Sequence, residues 1–227
     1  MKKSVLAATL LLGAAAVSGC SRGAGTEAFA PEESSLYLMG DGTVASASVE
    51  SYEADYYSAE ELKAYVENAL EEFNGAAESG DGEENGAVLK ECTMEEGFAR
   101  IIIEFPDPEE YLRFAEAYPE EDGEGQLKTL DIVPVPDGVT KGYLVGASFK
   151  DAKGNTVEYN EITKQNRLSV AAVEGPASIY LEGGVRYYSE GAVLEGDRIQ
   201  TPEEGICYLV FHLCCRSTFA HGILKYM

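Results

Sequence analysis

The sequence predicts an α+β fold built on antiparallel sheets. Three observations point there. Two stretches of the first half carry apolar residues at helical spacing, short apolar or alternating runs with turn residues flank them, and the second half offers such runs without helices. Apolar residues make up 45% of the 227, an ordinary share for a chain that buries a core, although 40 acidic against 17 basic side chains leave a formal charge of −23. A carboxylate field this dense repels phosphate backbones, which excludes nucleic acid as a partner.

Residues 34–50 predict a β-hairpin, with Leu36, Leu38 and Val44 as apolar positions and Gly40-Asp41-Gly42 as the turn. A helix follows. Ser58 is its N-cap, Glu61 completes a capping box, and Leu62, Tyr65, Val66, Ala69, Leu70 and Phe73 form one stripe before Asn74-Gly75 ends the run. An acid- and glycine-rich loop over 75–86 leads to a second strand pair, about 87–94 and 98–105. The consecutive Ile101, Ile102 and Ile103 predict burial on both faces of its second strand. Asp107-Pro108 then supplies an N-cap and a proline at the first helical position. The helix carries Tyr111, Leu112, Phe114 and Ala115 and stops before Pro119.

The acidic and proline-containing stretch 120–138 reads as a boundary. Beyond it, strands are predicted over 143–149, 156–159, 168–173, 177–181, 185–189 and 207–211, an antiparallel sheet or small sandwich. The organisation read from the sequence is 34–136 as an α+β unit in ββαββα order, and 137–211 as a β-rich domain or a continuation of the same one. Residues 212–227 form an atypical tail. Positions 205–227 contain no acidic residue, yet hold both histidines and three of the five cysteines. That break in composition favours a translated frameshift or readthrough over a genuine element packed on the sheet.

The first twenty residues read MKKSVLAATLLLGAAAVSGC: two lysines, a 14-residue apolar run and a small-residue ending. Val17-Ser18-Gly19-Cys20 resembles the lipobox of bacterial prolipoproteins. The resemblance implies that 1–19 is a signal peptide cleaved after Gly19, that Cys20 carries a diacylglyceryl group, and that its new amino group is acylated as well. Two or three fatty chains hold a protein stably on a bilayer where one does not. Cleavage would remove Lys2 and Lys3 and make the exported part more acidic still, so the body is expected to stand off an anionic membrane surface. Residues 20–33 read as a short flexible tether. Ser21 occupies the place where an aspartate would retain such a protein at a Gram-negative inner membrane. The run SSLYLMGDGTVASASVE followed by YYSAEEL is similar to uncharacterised bacterial surface lipoproteins, a likeness that brings no activity or site residues.

Few residues carry chemistry. Cys207, His212, Cys214, Cys215 and His221 have the ligand types for zinc, but their spacing matches no paired CxxC or HxxxH pattern, and buried or reactive thiols are the competing reading. Cys92 reads as a small core residue. A Cys92–Cys207 disulfide is permitted outside the cytoplasm. Asp81, Glu83 and Asn85, followed by Gly86 and Val88, resemble the first half of an EF-hand calcium loop, but the twelfth position is Cys92 where a bidentate glutamate is required. A solvated turn is the competing reading there.

Histidine-dependent catalysis has only His212 and His221 to draw on, since no other histidine exists. Carboxylate chemistry survives in principle, but no pair among 40 acids is singled out, tryptophan is absent as a sugar platform, and Gly183-Gly184 lacks the spacing of a phosphate loop. The expectation is a lipid-anchored protein on the extracytoplasmic face of a bacterial membrane, acting as a non-catalytic binding module without a cofactor. Its partners would be the bilayer through Cys20 and a protein, glycan or small-molecule ligand. The alternative is an extracytoplasmic carboxylate-dependent hydrolase with calcium as an optional aid. A two-lobed solute receptor is a weaker third, because strands and helices do not alternate.

Overall fold

The computed structural model describes residues 29–52, 58–76, 86–119 and 126–212. Alternation of apolar and polar residues sets its first strands. In β1 (Ser35–Leu38) and β2 (Val44–Ser51), Leu36, Leu38 and Val44 face the core, and a turn at Met39–Thr43 joins the strands. Helix α1 (Ala59–Ala76) follows, its Glu61 backbone N–H donating to the Ser58 side chain as the capping residues predict. Val66, Leu70 and Phe73 bury its stripe. The helix continues through Asn74 instead of stopping there. The Asn74 side chain instead accepts from the Ala87 N–H and donates to the Ala87 carbonyl, pinning α1 to the start of the next strand.

That strand, β3 (Val88–Glu95), pairs with β4 (Phe98–Phe105). Ile101 and Ile103 of β4 face the helices and Ile102 the opposite side, as the triple isoleucine requires. Helix α2 (Pro108–Ala117) opens on Asp107, which accepts from the Glu110 N–H at 2.9 Å.

The second half departs from its predicted elements in four places. Within 120–138, Thr129–Pro134 forms β5 and Val135–Thr140 a short helix, α3. Pro134 is tolerated because it is the last residue of an edge strand, and Pro136 because it lies in the first helical turn. Residues 143–148 are turns rather than strand. Leu144 takes a φ of 70° between glycines that also have positive φ, and this bend drives its side chain fully into the core. Pairing resumes only in β6 (Phe149–Asp151) and β7 (Thr156–Val157), and Tyr159–Ile162 is a helical turn, α4. Then come β8 (Leu168–Glu174), β9 (Ser178–Leu181), β10 (Val185–Ser189), β11 (Val193–Glu195), β12 (Arg198–Gln200) and β13 (Ile206–His212). The hairpin of β11 and β12, turning at Gly196-Asp197, is an addition to the predicted set.

The fold is α+β. Its strands form a seven-stranded sheet, β11-β12-β9-β1-β2-β4-β3, and a six-stranded sheet, β5-β8-β13-β10-β6-β7. Among the described residues all strand pairings are antiparallel except β1 with β9. A break at 136/137 would run through α3, and β5 before it is hydrogen-bonded to β8 after it. Continuation of one unit is therefore the alternative that the strand order supports.

Period two then builds three layers of side chains. Ala171, Val173, Cys207, Leu209 and Phe211 join Leu36, Leu38, Phe105, Ile179 and the helix residues in one core. Leu168, Val170 and Val210 point the other way, under α3, α4 and the loop around Leu144. On the outer face of the larger sheet, Ala45, Ala47 and Ile102 pack with Met39 and Phe29. Residue 29 belongs to the stretch read as a flexible tether, yet it is 8% exposed. An aromatic ring gains more from such burial than its ordering costs, so the packed body begins earlier than residue 34.

Phe105 is fully buried against Tyr111 and Phe114, with ring centroids at 5.5 and 5.2 Å. Phe105→Ala is expected to cost about 3–5 kcal/mol in urea unfolding. Val145→Ala, at a side chain 67% exposed, should change stability by less than about 0.5 kcal/mol.

Candidate functional site

The outer face of the seven-stranded sheet carries an aromatic row set by register. Tyr37 of β1 lies beside Tyr180 of β9, and Tyr180 beside Arg198 of β12. Each is the outward residue between inward neighbours: Leu36 and Leu38, Ile179 and Leu181, then Ile199. Chain segment 29–33 crosses this row. Phe29 stacks on Tyr37 at 5.3 Å and 27° and meets Tyr180 edge-on at 5.8 Å and 64°. Glu33, at the end of the same segment, pairs with the Arg198 guanidinium, which also donates to Glu195 at 2.7 Å.

Between this strap and the β11–β12 hairpin lies a cleft of about 600 Å³. Tyr37, Tyr180 and Phe29 supply aromatic walls, and Glu32, Asp197 and Glu195 stand at the rim. Burial pushes the Tyr180 hydroxyl above its ordinary pKa, and the charges of Asp197 and Glu32 push it further in the same direction. The phenol stays neutral at physiological pH. The described lining has no serine, cysteine or histidine. What it presents is aromatic surface among carboxylates and one guanidinium.

The sequence-predicted zinc residues are not brought together where the structure describes them. Cys207 and His212 are five positions apart on β13, so their side chains leave opposite faces, about 17 Å apart along the strand. They cannot share an ion. Cys207 is fully buried in the main core, which pushes its thiol pKa up to about 12. His212 is exposed and packs over Gly183. Cys214, Cys215 and His221 lie outside the described residues, and among the described ones no cluster of three metal-ligating side chains occurs.

Cys92 and Cys207 are both free. The disulfide permitted by the sequence is not formed: Cys92 is half-buried on β3 beside Lys63 and Glu67 of α1, and Cys207 is fully buried on β13. Asp81, Glu83 and Asn85 also lie outside the described residues. Their flanks are α1 and β3, helix and strand, and the position that should supply the final calcium ligand, Cys92, is half-buried in β3. Residues 1–19, read from the sequence as a signal peptide, and Cys20 lie outside the described residues as well.

Two carboxyls elsewhere are held below their ordinary pKa. At Asp131, burial pushes upward, but hydrogen bonds from Lys141 (2.5 Å) and Tyr143 (2.7 Å) and the lysine charge outweigh it. The Tyr143 hydroxyl, donating to that carboxylate, is pushed up to about 12. Asp151 is lowered by the Asn155 side chain and backbone, then by the Lys153 N–H. A general acid needs the opposite shift.

The cleft residues escaped the sequence reading because aromatic residues at outward strand positions look like ordinary surface. The available signal was the shared Leu-Tyr-Leu and Ile-Tyr-Leu pattern of β1 and β9. No family model, curated protein or solved structure matches the chain.

Two tests follow from these environments. Maleimide labelling of the native protein, mapped by mass spectrometry, should spare Cys207 and modify it once urea unfolds the chain; native labelling would contradict its burial. Asp131, ionised more readily when folded, stabilises the protein above its unfolded carboxyl pKa, and that contribution fades as pH falls through the lower folded value. Asp131→Asn should therefore flatten the acid limb of a stability–pH curve and lower stability at neutral pH.

Proposed function

We propose that this protein is a lipid-anchored extracytoplasmic lipoprotein of a bacterial membrane, and that its folded body is a non-catalytic binding module using the Tyr37–Tyr180 cleft. One spacing carries this reading. The lipobox cysteine, Cys20, stands nine positions before Phe29, the first described residue and one already packed into the sheet surface. Nine extended residues span about 30 Å at most, so an acylated Cys20 would hold the cleft-bearing face close to the bilayer. Anchor, strap and cleft then form one continuous device.

The character of the cleft supports binding over chemistry. Its aromatic faces are held rigidly by sheet register, and Arg198 is engaged by two carboxylates. Among the described residues no helix is long and apolar enough to cross a membrane.

Metabolic labelling with an alkyne palmitate analogue is the direct test. The full-length chain should take up label and sediment with membranes, and Cys20→Ser should lose both. Label retained by the Cys20→Ser protein, or a wild-type N-terminal peptide recovered without acyl groups, would refute the anchor.

A further inference from the structure

The binding-module reading leaves open what the cleft accepts, and its walls narrow the choice. Aromatic faces carry negative electrostatic potential over the ring and attract cations, most strongly where water is partly displaced. Tyr37 and Tyr180 stand side by side, but Phe29 stacks over the Tyr37 ring and meets Tyr180 only edge-on, so the half-buried Tyr180 is the ring beside the rim carboxylates. The cation already present, Arg198, is held by Glu33 and Glu195. Glu32 and Asp197, both exposed, remain at the mouth beside Tyr180.

Each ligand class meets this arrangement differently. An anion would face the rim carboxylates, with Arg198 neutralised on both sides. A purely apolar ligand would bury its surface against a charged rim that must then be desolvated. A neutral sugar would gain the stacking surface but nothing from the negative field. A compact cation gains from the Tyr180 ring and from the two carboxylates beside it together. We propose that the cleft binds an ammonium or guanidinium group, seated against Tyr180 between Glu32 and Asp197. The proposal rests on the reading of the cleft as a ligand site and is independent of acylation at Cys20. Its volume, about 600 Å³, suits either a small amine or one basic side chain of a peptide.

Calorimetric titration of the full-length, detergent-solubilised protein distinguishes these sources and tests the class. The probes are choline, a blocked Gly-Lys-Gly tripeptide, the same tripeptide with an acetylated lysine, and a neutral disaccharide. Binding of choline or the unmodified tripeptide is expected, with the stronger of the two identifying free amine or peptide as the source. Acetylation should weaken the tripeptide by about tenfold or more.

The double variant Glu32→Gln/Asp197→Asn should weaken the cation by about fivefold with an unchanged melting temperature, because both residues are exposed. Glu60→Gln/Glu71→Gln, the same charge change on exposed positions of α1, should have no such effect. Equal losses in both double variants would reassign the effect to the diffuse acidic field and overturn the proposal. Undiminished binding of the acetylated peptide would also overturn it, as would failure of both cations. Binding of the disaccharide alone would overturn the cation while leaving a binding module; silence from all four probes would remove the cleft from both readings.

Discussion

The parallel ladder between β1 and β9 is the contact on which the architecture turns. It sets Leu36 beside Ile179, Tyr37 beside Tyr180 and Leu38 beside Leu181. Through it, the hairpin of β11 and β12 becomes part of the sheet begun by the first hairpin. The inward residues of this ladder enter the core shared with the smaller sheet, and the outward ones make the aromatic walls. Local hydrogen bonds lock the join at one end: the Gly40 N–H donates to the Glu182 side chain, the Glu182 N–H to the Leu38 carbonyl, and the buried Ser169 hydroxyl to the Gly40 carbonyl. Such a pairing closes a very long loop, an entropic cost met before the contact rewards it. Short-range hairpins such as β1–β2 and β3–β4 face no comparable delay.

How much of this was legible depended on whether local chemistry or distant packing decided the element. Asp107-Pro108 and Ser58 announced their helices because capping is settled within four residues. The isoleucine triplet announced a two-sided strand because period two admits no other reading. The stretch 143–148 failed for a different reason: its apolar residues alternate well enough for a strand, but Leu144 is carried inward by a left-handed bend whose value lies in filling the second core. β5 was hidden by its prolines, which an edge position tolerates and a central one would not. Phe29 was hidden by its neighbours, small and polar residues that read as linker until Tyr37 and Tyr180 supply the surface that holds the ring.

The cleft was the least legible feature because no segment contains it. Its walls come from β1, β9 and the 29–33 strap, and its rim from that strap and the β11–β12 turn. A strand shows its inward residues to a sequence reader through hydrophobicity. Its outward residues gain meaning only from the strands placed beside them, and here the placement depends on a pairing across 143 positions.

Electrostatics joins the proposed anchor to the proposed ligand. A processed chain, two lysines short of the full sequence and so more acidic than its net charge of −23, would be repelled by an anionic bilayer, but that repulsion is screened over about 8 Å at physiological ionic strength. A nine-residue lead from Cys20, reaching about 30 Å, lets the body sit beyond the screened zone while remaining tethered. Because the lead ends at Phe29, inside the cleft wall, the acylated protein would turn its aromatic face toward the lipid and not away from it. The same anionic surface that repels the body enriches cations near itself. On excursions of the tether toward the lipid, a cleft selective for ammonium or guanidinium groups, carried in that orientation, would reach the layer within that screening length where such groups are concentrated. The acidic excess would then serve two ends, keeping the fold clear of the membrane and drawing its ligand to the rim.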